Sequence, residues 1–483
     1  MRLHLCETEN EYRAMTEEVE QERRTLEGEA ALRLWRQGQE AWNSWIDEHP
    51  GWNISFAGID FSTERDIEDK LSFAGYNFGD GYVDFARATF SDSHVHFTKA
   101  IFGLGAVYFS RTTFSNCDVF FAGATFGNDD VTFAKAIFSD SNVYFFGANF
   151  GDCDFYFHEV AFGNGNLYFS DATFGNGNVY FDQSTFRNGK IGFFRATFGN
   201  DEITFHGATF SNCAISFNQA QFNDLTFDPK TIESSHIEAE GLSIKGRAIF
   251  YICSSNIELK SFNFHSASFD GPLTIKGDLN IIPDLRATRY SHQVDLSDLK
   301  VKLPRISPKL GWPPKLSRVA ESKHDGARLR RLKEIAETNK DHHAALRFSA
   351  DENKARRWIE TSWFGSVLDM AFSACSNYGQ SILRPFVALF FVAVASMGLY
   401  KKLAAATFTA LWTEPGWGQS LLLSAGNSLP FLPQSRSLRD DAIKVLYSND
   451  PSLLVDAIMI GQGALSFIFL FLIGLGLRNR FRL

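Results

Sequence analysis

The residues best suited to chemistry are few, and their spacing does not bring them together. His94 and His96 share one side of a short strand, and Gly127-Asn128-Asp129-Asp130 has the oxygen-rich look of a calcium-binding corner. Neither has a second ligand cluster at a usable spacing, so turn formation accounts better for both. His342 and His343 are neighbours on a helical stretch, where adjacent side chains diverge and do not close on one metal ion. No phosphate loop, Gly-x-Ser-x-Gly elbow, His-Glu-x-x-His or Cys-x-x-Cys occurs. The six cysteines are Cys6, Cys117, Cys153, Cys213, Cys253 and Cys375. Cys117, Cys153 and Cys213 share one phase of a repeat but lie several repeat units from one another, too far apart on stacked coils for a disulfide. The expectation is a non-enzymatic protein without cofactor or metal.

Residues suited to binding are more numerous. Tyr108, Tyr144, Tyr156, Tyr168 and Tyr180, with His96 and Phe120, hold one repeated outward position. Stacked at sheet spacing they form aromatic ladders that either dock a partner protein or simply brace the sheet surface. Acidic residues outnumber basic ones in the same region, which disfavours nucleic acid. A second set is basic: Arg328, Arg330, Arg331, Lys333, Arg356 and Arg357, then Arg478, Arg480 and Arg482 at the end of the chain. Beside a membrane span these would contact anionic lipid, with a solvated helix face as the alternative. A third set, Asn427, Ser428 and Pro430, lies between two apolar stretches and supplies the candidates for a pore loop; a half-helix that packs the hairpin is the bland reading.

Length and composition bound what positions these groups. A chain of 483 residues calls for two or three structural units. A net charge of -9 with 21% charged residues argues against a polybasic nucleic-acid binder and against wholesale disorder. The first residues carry no apolar stretch, so no secretory signal is read and the cysteines are expected in a reducing compartment. Phenylalanine is the anomaly: 49 of them, with 37 glycines, point to a repeated architecture.

Over residues 73–222 phenylalanines come in pairs (Phe73/Phe78, Phe85/Phe90, Phe97/Phe102, through Phe217/Phe222), and each pair begins twelve positions after the last. Two positions before the first Phe stands a larger apolar group such as Val95, Val107 or Val179; two before the second stands a small one such as Ala88, Ala124 or Ala172. An apolar i, i+2 pair followed by polar or glycine residues marks a very short strand and then a corner. A helix cannot keep one face in phase at this period.

Small-x-Phe tandem fivefolds resemble the pentapeptide-repeat family, in the variant where two fivefolds and a two-residue insertion make twelve. The resemblance implies a right-handed quadrilateral β-solenoid. Two units per coil is the favoured arrangement, because the paired phenylalanines of each unit overfill a one-unit coil. At ~4.8 Å per coil the regular part is a rod of roughly 30 Å. Some members of that family mimic DNA and inhibit gyrase; here Arg87, Lys99, Arg111, Lys135 and Arg195 offset the acidity that such mimicry needs.

The ends differ from the rod. Residues 11–47 carry a helical stripe whose Trp42 and Trp45 are placed to cap the first coil. After Pro304, Pro308, Pro313 and Pro314 two basic helices are expected over 328–337 and 341–358. Apolar stretches at 386–400, extended by Ile382 and Leu383, and at 457–477 read as membrane helices. Basic residues before the first and after the second put the rod and both termini in the cytoplasm. Asp341-His342-His343, Tyr378-Gly379-Gln380-Ser381 before Arg384-Pro385, and the closing Gly476-Leu477-Arg478-Asn479-Arg480 are similar to the membrane-associated pentapeptide-repeat proteins of bacteria. That likeness implies the bacterial inner membrane.

The organisation expected is a helical leader over 1–52, the solenoid over 53–303, a basic juxtamembrane helical region over 304–378 and a two-span region over 379–483. The function expected is a membrane-anchored scaffold that presents a cytoplasmic surface to an unidentified protein. The alternatives are a homo-oligomeric two-span channel or membrane effector regulated by the rod, and a tethered DNA mimic.

Overall fold

Most twelve-residue units form two strands of two or three residues, because only that many alternate inward and outward before a corner; at Ile101 and Thr197 the strand shrinks to a single bridge. Val179–Tyr180 and Thr185–Arg187 are one such pair; Val179 and Phe181 are fully buried while Tyr180 is half-exposed. A computed structural model describes residues 25–64, 71–252, 257–307, 318–404, 415–429, 431–448 and 450–481. Pro308, Pro313, Pro314, Pro430, Arg482, Cys6, Cys253 and the first part of the expected leader helix lie outside the described residues.

Each strand pairs in parallel with the equivalent strand two units on: Val107 with Val131, Val131 with Phe155, Phe155 with Val179. One coil is therefore two units. It has four sides, whose strands begin for example at Val107, Thr113, Val119 and Thr125; these are called the first to fourth faces in that order. The result is a β-solenoid of about eleven coils. The strict two-unit period holds to Ile203, after which the first-face partners Leu225, Ala248, Leu273 and Val294 follow one another at unequal steps.

Inside run four columns of phenylalanine. Along one, Phe97, Phe121, Phe145 and Phe169 stack with centroids 4.8–4.9 Å apart and planes within 8° of parallel, which is the strand spacing itself. Between columns the contacts are edge-to-face, as for Phe97 and Phe109 at 5.7 Å and 83°, the arrangement the ring quadrupole favours. The two residues after the first Phe turn the corner, and the second of them takes the left-handed conformation whatever its identity: Arg87, Lys99, Arg111, Lys135, Glu159 and Gln183 all have φ of 54–61°.

Both open ends of the stack are covered. At the start, strand Thr25–Glu27 pairs with Asn53–Ser55, and helices α1 (Gly28–Trp35) and α2 (Gln39–Glu48) follow, broken at Gly38 with φ 90°. Their side chains replace the backbone partners that a preceding coil would offer. Trp35 Nε1 donates to Ser72 O at 2.9 Å, Trp42 Nε1 to Asn77 O at 2.8 Å, and Gln39 Nε2 to Gly75 O at 2.8 Å, while Asn43 Oδ1 accepts from Asn77 N at 2.8 Å. Both indoles are fully buried against the first phenylalanines. Trp45 departs from the expected role: it stacks on His49 and meets Trp52 edge-on, while Trp35 shares the capping with Trp42.

At the other end α3 (Asp325–Thr338) buries Leu329, Leu332, Ile335 and Ala336. Its Arg331 donates to Leu285 O (3.3 Å) and Thr288 O (2.8 Å), and Asn339 donates to Val294 O. From Ala327 on, this helix belongs to the same compact unit as the solenoid, which comprises Met1–Pro304 with Ala327–Ala345; Arg305–Gly326 with Leu346–Leu483 form the second.

The second unit holds most of α4 (His342–Arg356), then α5 (Trp363–Ser376), α6 (Leu383–Leu403), α7 (Pro415–Ser428), α8 (Ser435–Tyr447) and α9 (Leu453–Phe481). Helices α6 and α9, of 21 and 29 residues, are long and apolar enough to cross a membrane. Tyr400, Leu423, Ala442, Leu446, Tyr447 and Val455 make a buried cluster that joins α6, α7, α8 and α9.

Candidate functional site

Because a unit is half a coil, the outward aromatic position alternates between opposite sides. The five tyrosines therefore divide. Tyr108, Tyr156 and Tyr180 lie on the first face, where Thr132 interrupts them. Tyr144 and Tyr168 lie on the third, in register with Phe120 and His96. That third face carries an unbroken run of four rings: His96–Phe120, Phe120–Tyr144 and Tyr144–Tyr168 stack at 4.8, 4.9 and 5.7 Å, all within 14° of parallel. Phe146, at 42% exposure, reaches round the corner to both Tyr144 (5.3 Å) and Tyr168 (5.8 Å) and widens this patch. On the first face Tyr156 stacks on Tyr180 at 5.1 Å and donates to Asp154 Oδ2 at 3.0 Å. Burial, then that carboxylate, raises the Tyr156 phenol above its usual range.

The corners explain the remaining sequence candidates. Asn128 Oδ1 accepts from Asp152 N at 3.2 Å, and Asn176 Nδ2 donates to Asp152 Oδ1, so this corner builds a side-chain ladder up the rod. His94 Nδ1 lies 3.2 Å from Asp118 N. Among the described residues no cluster of three or more His, Cys, Asp or Glu side chains is arranged to hold a metal ion. Cys117, Cys153 and Cys213 are buried as free thiols. Burial pushes Cys117 up to about 11 and Cys153 to about 12, which leaves little thiolate for reaction at neutral pH.

The basic residues separate into two roles. Arg328 sits on Asp284 at 3.1 Å and Arg331 on solenoid carbonyls, so both are turned toward the capped end. Arg330 is exposed and Lys333 half-exposed. Arg356 is paired with Glu360 at 2.8 Å. Arg357, expected to reach lipid, is instead buried: it pairs with Asp369 at 2.6 Å and donates to Tyr378 OH at 2.9 Å. Those contacts turn the Arg357 Nε and Nη2 donors inward, toward Asp369 and Tyr378. Arg478 and Arg480 at the end of α9 are exposed.

Between α6 and α9 the polarity is reversed from that of a soluble bundle. Gln462, 2% exposed in the middle of α9, is the hub. Its Nε2 donates to Ser424 Oγ (2.8 Å), Ser424 O (2.9 Å) and Ser428 Oγ (2.9 Å), and its Oε1 accepts from Tyr400 OH (2.7 Å) and Asn427 Nδ2 (3.2 Å). Asn427 also donates to Met459 O at 2.7 Å, and Ser424 to Ala393 O at 2.7 Å. Asn427 and Ser428 thus spend their polar atoms inside one chain. Meanwhile Phe386, Phe390, Phe391, Phe467 and Phe471 are 57–69% exposed on the outside. Sequence reading passed over Gln462, although a lone amide within an uncharged apolar stretch is the kind of signal that marks a partnered site in a span.

Comparison with family models and with curated proteins returns no match for this chain.

Proposed function

We propose that the chain is a membrane-anchored, non-enzymatic scaffold whose β-solenoid presents a protein-docking face in the cytoplasm, and that it is a bacterial membrane-associated protein of pentapeptide-repeat type. The observation that carries the membrane part is the inverted helical unit: phenylalanines outward, Gln462, Asn427 and serines inward. Only 22% of each apolar window is buried, whereas the core helix of a soluble protein would be mostly covered. At 1.5 Å per residue α6 is about 31 Å long and α9 about 44 Å, against a hydrocarbon core of about 30 Å. The exposed Arg478 and Arg480 favour the cytoplasmic side for that end.

The docking face is assigned to the third side, where His96, Phe120, Tyr144, Phe146 and Tyr168 form a continuous patch. Rigid aromatic residues give large contact area at small entropy cost, which suits a recognition surface. The test is co-purification of a soluble partner with the membrane-extracted chain. Tyr144→Ser with Tyr168→Ser should lose the partner, and Tyr156→Ser with Tyr180→Ser on the first face should keep it. Equal loss from both pairs would reject the assignment.

A second reading, a two-span channel assembled from several copies, is favoured by the half-helix α7 lying between the two spans. Against it, Asn427 and Ser428 are engaged by Gln462 of the same chain. Single-channel currents in planar bilayers that disappear when residues 419–429 are replaced would establish it over the anchor.

A further inference from the structure

Helix α5 has the wrong polarity for water. Trp363, Phe364, Val367 and Leu368 are 73, 64, 36 and 54% exposed, and Ala371 and Ala374 continue the outward stripe. These positions repeat at three and four residues, so they form one face. The inward face is polar: Ser366 and Ser376 are fully buried, and Asp369 is tied to Arg357 and Tyr378. Asp369 Oδ2 accepts from Arg357 Nε (2.8 Å) and from Tyr378 OH (3.0 Å), and Ser366 Oγ accepts from Trp358 N (3.1 Å). The helix is clamped from behind by its own unit and leaves its apolar face bare.

We propose that α5 is a third membrane element, lying in the headgroup–acyl boundary of the cytoplasmic leaflet rather than crossing it. The proposal rests on the membrane reading above and deepens it. Fourteen residues give about 21 Å, too short to cross about 30 Å of hydrocarbon. Its depth follows from its neighbours. Arg384 at the start of α6 donates to Ser373 O (3.3 Å), and Asn479 at the end of α9 donates to Gly379 O (3.1 Å), so the C-terminal end of α5 sits level with the basic ends of both spans. Arg384, Arg478 and Arg480 are exposed there and complement anionic headgroups. On this placement the apolar face of α5 adds to the exposed apolar surface of α6, and Trp363 is of the type that concentrates at this depth.

Depth-dependent quenching on the full chain in phosphatidylethanolamine–phosphatidylglycerol liposomes tests this. Leu368→Cys and, separately, Val367→Cys would carry an environment-sensitive fluorophore in a Cys6→Ala, Cys253→Ala, Cys375→Ala background, the other three thiols being buried. Phe467→Cys in α9 reports on the span, and Asp140→Cys on the solenoid serves as the water reference. The expected result is that positions 367 and 368 are quenched at least twofold more by lipid labelled at acyl carbon 5 than at carbon 12, with position 467 showing the reverse. Iodide quenching of 367 and 368 equal to that at 140, with 467 still in lipid, overturns the proposal and leaves the anchor intact. Iodide quenching at 467 sinks the membrane reading and the proposal with it. Shielding of 368 from both lipid and iodide, with or without a disulfide between two copies, shows a protein covering this face and also overturns the proposal.

Discussion

A single phenylalanine in the rod illustrates how the repeat stores its stability. Phe133 is fully buried, stacks on Phe109 at 4.7 Å and Phe157 at 5.0 Å, and meets Phe121 and Phe145 edge-on. Phe133→Ala removes partners from two columns at once and opens a cavity between coils that cannot close, since the strands are held at fixed spacing. The expected cost is about 3–5 kcal/mol, read as a lower denaturant midpoint. The corner residues predict the opposite sign. Lys99 holds φ 56°, a conformation that strains an L side chain, so Lys99→Gly should stabilise the rod by about 1 kcal/mol once the extra flexibility of glycine in the unfolded chain is subtracted. A loss in thermal unfolding temperature would contradict this. The left-handed corner was not legible in the sequence, because lysine, arginine, glutamate and glycine all occupy it. The Phe period was legible because the interior accepts almost nothing else.

At the scale of the element, the two caps show where sequence reading stops. Trp42 stood out because a tryptophan beside the first repeat needs somewhere to go, yet Trp35 does as much, and nothing in its spacing announced it. For the arginines of α3 the sequence leaves lipid contact and a solvated face open, and the same residue types at the same spacing serve equally well to meet carbonyls at the end of a sheet; only the fold distinguishes them. Asp284 makes this cap testable by pH. Burial would raise its carboxyl, but bonds from Arg286 and Arg328 outweigh that and hold it below the usual value. A depressed carboxylate contributes stability above its unfolded value of 3.8 and loses it as pH falls through the folded value. Exchange protection of α3 amides should therefore fall as the pH drops below 3.8. Asp284→Asn should lower protection at neutral pH and flatten that acid dependence; an unchanged acid profile would mean another group controls the cap.

At the scale of the whole molecule, the division into two units follows from which surfaces each can leave bare. The solenoid unit closes both ends with its own residues, Thr25–Glu27 with α1 and α2 at one end and α3 at the other. A chain ended after Ala345 should accordingly be soluble and monomeric and unfold in one cooperative step, whereas a chain ended at Leu303 bares the last coil and should self-associate through its edge. Identical behaviour of the two in sedimentation would deny α3 its capping role. The helical unit depends on a different closure, because its outside is apolar and its specificity comes from the amide at its centre. Gln462→Leu roughly keeps the volume but removes the acceptor of Tyr400 OH and the donor to Ser428 Oγ together, while Ser424 keeps its bond to Ala393 O. In a membrane each such bond is worth about 0.6–1.7 kcal/mol, so losing the hub should lower the detergent melting temperature and expose α7 to protease while the rod still unfolds at its own temperature. If the rod melted with the bundle, the two units would be one cooperative body. An unchanged bundle would mean that apolar packing around Leu423 and Leu446, and not the polar hub, fixes α7 between the spans.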